Sequence, residues 1–71
     1  MPAVMRPVYS SHVNQIGHDP ETQELHVLWD TGKKSIYEGV PAALAEQVRT
    51  SASVGGALRK MVKDRYAHRY G

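Results

Sequence analysis

Six cations crowd the last third of this chain. Residues 47–71 carry Arg49, Arg59, Lys60, Lys63, Arg65 and Arg69 against the single carboxylate Asp64, a net of +5. Residues 1–46 carry Arg6, Lys33 and Lys34 against six carboxylates, a net of −3. Such polarity speaks to the sign of a partner and not to a fold. Arg59, Lys60, Lys63 and Arg65 fall too close together to scatter around a helix. Tyr66, His68 and Tyr70 then add rings able to stack on bases or on a protein surface. Arg59, Lys60, Lys63, Arg65, Tyr66, Arg69 and Tyr70 are therefore the candidate partner-binding residues. The bland alternative is a solvated helix face that keeps the protein soluble.

A second pattern is Ser53-Val-Gly-Gly56. The N–H groups at a helix start lack intrahelical acceptors, and with no Cβ at Gly55 and Gly56 they can hold a phosphate or carboxylate. Ser53, Gly55 and Gly56 are thus a candidate anion site, although the same glycines also let a helix start pack closely on a neighbour. Without a following Gly-Lys-Ser/Thr this is no nucleotide loop.

Other chemistries find less support. His12, His18, His26 and His68 lack short ligand spacing, and the chain has no cysteine. We expect no metal, no cofactor and no disulfide. No glycine-flanked serine forms a nucleophile elbow, and the glutamates are spread along the acidic half. A non-catalytic protein without a small-molecule substrate is the expectation.

The elements that must carry these residues form one small domain. Seventy-one residues bury only roughly 60% of the surface their unfolded chain exposes, which leaves little room for a deep cleft. No apolar run resembles a signal peptide or reaches the roughly 18 residues of a membrane span, so a cytoplasmic protein without membrane contact is expected. Residues 1–9, with Pro2 and Pro7, read as a mobile arm, followed by a single domain over 10–71. Val4, Met5 and Arg6 in that arm are a secondary candidate surface, able to pair with a sheet edge or dock on a partner.

Residues 10–18 read as a first strand. Val13 and Ile16 have opposite parity there, which calls for a bulge or an early end at Gly17. Asp19-Pro-Glu-Thr-Gln23 supplies a turn. Glu24–Asp30 alternates Leu25, Val27 and Trp29 with more polar neighbours, the clearest strand, and Trp29 reads as a main core residue, with a nucleic-acid stacking platform as the lesser alternative. Residues 30–34 make a hairpin, and 35–40 form a third strand with Ile36 and Val40 on one face. Pro41 opens a helix over 41–50 with Leu44 and Val48 facing the sheet. Ser53 caps a second helix whose apolar positions Val54, Ala57, Leu58, Met61 and Val62 share one face, opposite the cations. The predicted class is α+β, a three-stranded antiparallel meander followed by two helices packed on it, β-β-β-α-α.

Several residues together carry a family resemblance. They are Ser10-Ser11, Ile16-Gly-His-Asp-Pro-Glu-Thr22, Leu25-His-Val27, Gly32 before Tyr37, Val40-Pro41, Ser53-Val-Gly55 and Arg65-Tyr66 with Arg69. Over about residues 10–69 the chain resembles the KTSC domain, a module found alone in bacteria and phages and at the C-terminus of some lysyl-tRNA synthetases. The resemblance implies a single α+β domain and a role with RNA. The family's paired tyrosines of the third strand stand here as Ser35 and Tyr37. Its usual aromatic pair and asparagine after Ser53-Val-Gly55 stand as Ala57, Leu58 and Arg59, which shifts that surface toward charge. In size and expected architecture the chain is also similar to small phage regulators of host RNA polymerase, such as the inhibitor and antiterminator of a Xanthomonas phage.

Two functions of different class follow, the first preferred and the second its alternative. In the first, a monomeric module binds a protein of the transcription or translation machinery, such as RNA polymerase, and alters initiation or termination. In the second, the basic C-terminal helix binds RNA or DNA directly.

Overall fold

The computed structural model describes residues 4–8 and 12–71. Five strands form one antiparallel sheet in chain order, β1 (Arg6–Pro7), β2 (Val13–Asp19), β3 (Glu24–Trp29), β4 (Lys34–Glu38) and β5 (Ala67–Tyr70). Between β4 and β5 the chain makes two helices. The first is α1 (Ala42–Arg49); the second, α2, begins as an α-turn (Val54–Ala57) and widens into a π-turn (Leu58–Val62). The class is α+β as expected, with five strands in place of three.

Turn chemistry sets the meander. The Asp19 carboxylate accepts the Glu21 N–H at 2.9 Å, and its carbonyl accepts the Gln23 N–H at 2.8 Å. At the next reversal Gly32 takes φ +90°, a left-handed conformation open to glycine, and the Trp29 N–H reaches the Lys33 carbonyl at 2.9 Å. The opposite parity of Val13 and Ile16 is resolved by a bulge, because the register with β3 shifts between Val13 and Gln15. Both side chains thereby reach the core.

That core lies between one sheet face and the two helices. Val13, Ile16, Leu25, Val27 and Tyr37 from the sheet meet Ala45, Val48, Val54, Ala57, Leu58 and Val62, with Val40 closing the β4–α1 connection. Burying each such aliphatic side chain stabilises the fold by roughly 1.5–3 kcal/mol. The His18 Nε2–H donates to the Val40 carbonyl at 2.6 Å and ties β2 to the same connection.

Two expectations are corrected. The second helix ends at Val62, where its apolar pattern ends; Lys63 is extended and Asp64 takes φ +67°, so the chain turns back into β5. Arg65, Tyr66, Arg69 and Tyr70 therefore lie in the turn and strand, off the helix. In β4 the inward residues are Ser35 and Tyr37, and Ile36 is buried on the opposite face beside His26 and Arg69. In the N-terminal segment, Arg6 and Pro7 pair with Ile16 and Gln15 as a sheet edge; residues 1–3 and 9 of the expected arm lie outside the described residues. The close crossing depends on Gly17, where a Cβ would sit 2.7 Å from the Val4 carbonyl oxygen and 2.8 Å from the Met5 Sδ.

Candidate functional site

The core-side residues of β2, β3 and β4 are covered, Ser35 and Tyr37 of β4 included, while β5 is exposed. Side chains alternate along a strand, so Ser35 and Tyr37 of β4 share their face with Tyr70 and His68 of β5. Beyond the edge of α2 these rings line a cleft of about 470 Å³. Trp29, Tyr37, Tyr66, His68 and Tyr70 form its aromatic floor and walls, with Lys33, Lys63 and Asp64 also in the lining. The volume is in the range of small-ligand sites, generally about 300–1,000 Å³.

Ring geometry holds the floor in place. The Tyr37 and His68 centroids are 4.9 Å apart at 37°, and His68 meets Tyr70 edge to face at 4.8 Å. Burial first, then the neighbouring Tyr70 and Asp64, push the Tyr37 phenol up from its ordinary value, so it stays a neutral hydroxyl near pH 7. Trp29 is fixed by its Nε1–H, which donates to the buried Ser35 Oγ at 2.7 Å. Tyr70 is 75% exposed, a flat apolar ring left to solvent at the rim.

A smaller hollow of about 150 Å³ also meets Trp29, lined with it by His12, Gly55, Arg59 and Lys63. Trp29 and Lys63 belong to both hollows, so cations and rings form one groove.

The structure treats the sequence candidates unequally. Arg59, Lys60 and Lys63 are exposed on or beside the π-turn, and Arg59 and Lys63 enter the groove. Arg65 turns back to donate from Nε to the Lys60 carbonyl at 3.2 Å. Tyr66 packs against the core and lines the cleft. Arg69 lies on the opposite sheet face, 2.7 Å from the Glu24 carboxylate and 3.2 Å from Glu38. Its hydrogen bond, with a second from His26, holds Glu24 below the usual carboxylate range. Arg69 is thereby engaged within the fold.

Arg6 and Val4 line a separate hollow between the β1 edge and α1, remote from the rings. At the helix start the Gly56 N–H is taken by the Ser53 Oγ at 3.3 Å, and a Cβ on Gly56 would lie 2.9 Å from that oxygen. The glycine there admits the serine cap, while Gly55 lines the smaller hollow. Among the described residues no group of His, Asp and Glu could hold a metal ion. No helix is long and apolar enough to cross a membrane.

Part of the groove's lining lies outside the sequence candidates. Trp29 read as core, yet it is half-buried, with one side on the core and the other on both hollows. Tyr37 and Lys33 are not among the sequence candidates; His68 is, as a ring able to stack. The available signal was the spacing of Tyr66, His68 and Tyr70, a period of two that places all three rings on one face of a strand.

Comparison with known proteins adds the family. The KTSC domain profile matches residues 9–66. The chain belongs to the KTSC domain family. The crystal structure of a KTSC domain protein from Yersinia pestis superposes with a TM-score of 0.93 at 24% sequence identity, covering 99% of each chain. At that identity the likeness speaks for the KTSC fold alone. No curated protein matches the sequence.

Proposed function

We infer that this KTSC domain is a non-catalytic binding module for single-stranded nucleic acid and serves the transcription or translation machinery through it. The observation that carries the reading is the open groove in which Trp29, Tyr66, His68 and Tyr70, with the buried Tyr37 behind His68, stand beside Lys33, Arg59 and Lys63. Rings supply stacking surfaces that every base can use, and lysines and arginines track the phosphates. A duplex hides the base faces that this groove would use. Anisotropy of a labelled random-sequence RNA strand at two salt concentrations tests the reading. Saturable binding that weakens with salt and exceeds binding to duplex of the same length is expected. No binding at low salt rejects it.

The protein-partner reading keeps one observation of its own. Strand β5 ends the sheet, its four residues are exposed, and a partner strand can add to such an edge. Regulation of RNA polymerase, as by the Xanthomonas phage protein, would then act through that edge and the cations Lys60 and Arg65 outside the groove. A pull-down from bacterial lysate that enriches no polymerase, ribosomal or synthetase subunit counts against it.

A further inference from the structure

The two hollows differ in a way that sorts the parts of a nucleotide. The large one is walled by rings and holds Asp64 at its margin, with the backbone of that residue fixed in the turn at φ +67°. A carboxylate there repels a phosphate but accepts hydrogen bonds from a base amino group or a sugar hydroxyl. The large hollow sets Lys33 and Lys63 against that carboxylate, whereas the small hollow, about 150 Å³, has no carboxylate in its lining and sets Arg59 beside the same Lys63. Neither cation enters an ion pair among the described residues, unlike Arg49 and Arg69. Trp29 is the shared wall, and its ring is oriented by the Ser35 hydroxyl.

We propose that the hollows are consecutive subsites for one strand: a base stacks in the aromatic cleft with its donor groups toward Asp64, and the adjoining phosphate seats between Arg59 and Lys63. This rests on the nucleic-acid reading above and adds a direction to it. The strand crosses Trp29 from ring cleft to cation hollow, and the bound unit is a base with its linking phosphate. Lys60 is next in sequence to Arg59 but lines neither hollow, so its charge serves the site only at long range.

Trp29 is the only tryptophan of the chain, which makes its emission a reporter inside the groove. Titration of the full chain with a tetraadenylate RNA strand, at two salt concentrations, should quench it saturably. Arg59→Ala should then lower affinity roughly two- to fivefold, the range for one exposed charge contact. It should also flatten the log–log salt slope by about 0.7, the share of one phosphate on a single strand. Lys60→Ala, of equal charge loss, should change both much less. If the wild-type chain binds and Arg59→Ala matches either the wild type or Lys60→Ala, the paired subsites are wrong while the nucleic-acid reading stands. If the wild-type chain does not bind, both fail. Native far-ultraviolet spectra of the two exposed-site variants exclude unfolding as the cause.

Discussion

Trp29 joins the core to the groove, and a single hydrogen bond sets how. Its Nε1–H satisfies the Ser35 hydroxyl, a group 3% exposed that has little access to water. Trp29→Phe keeps an aromatic wall but strands that hydroxyl, and should cost about 1–3 kcal/mol in urea unfolding. Adding Ser35→Ala should recover part of the loss, because both partners are then apolar. Leu58→Ala is a purely structural contrast. Leu58 is 2% exposed on the side of α2 that faces the sheet, and its truncation should cost about 2–5 kcal/mol, a large fraction of the stability of so small a domain. The parity of Leu25, Val27 and Trp29 correctly puts all three on the core face. Parity cannot tell where a helix stops covering that face, so the exposed half of Trp29 was not legible from its own strand.

Strand β5 was hidden at the scale of the element for a related reason. The apolar helical pattern from Val54 to Val62 is strong, and the cations beyond it continue the same charge, which made one long helix the natural extension. The period of two from Tyr66 to Tyr70 competes with it over only five residues. Tertiary pairing decides: β5 bonds along β4, and Arg69 bridges Glu24 of β3 to Glu38 of β4 on the face away from the helices. Hydrogen bonds first from Arg69 and then from His26 depress the Glu24 carboxyl in the folded state. A carboxyl with a lowered folded pKa contributes stability that is present above its unfolded value and lost as pH falls through the folded one. Thermal unfolding midpoints should therefore drop on acidification below the ordinary glutamate range near 4. Arg69→Met should lower the midpoint at neutral pH and weaken that acid dependence. An unchanged acid dependence would mean that the bridge is not what holds Glu24 ionised.

For the molecule as a whole, the polarity of the chain was legible but its destination was not. The order of β2, β3 and β4, the two turns between them, both helix starts and the buried face of α2 follow from local pattern, while on α1 Ala45 is buried with Val48 and the expected Leu44 only partly. The charge split suggested an acidic half and a basic half facing different ways. Folding partly cancels the split, because Arg69 crosses to Glu24 and Glu38, and Arg49 pairs with Glu46 one turn earlier on α1. Arg59, Lys60 and Lys63 enter no ion pair among the described residues and lie together at the end of α2, beside the ring cleft. Reversing all three to glutamate changes the local charge by six while touching no core contact. Binding to an RNA strand should be abolished, and the far-ultraviolet spectrum and urea midpoint should stay near those of the wild type, since isolated exposed charges contribute little to folding. Loss of fold in that variant would instead make the cationic face a structural feature. Retained binding would move the function off the groove, to the open edge of β5.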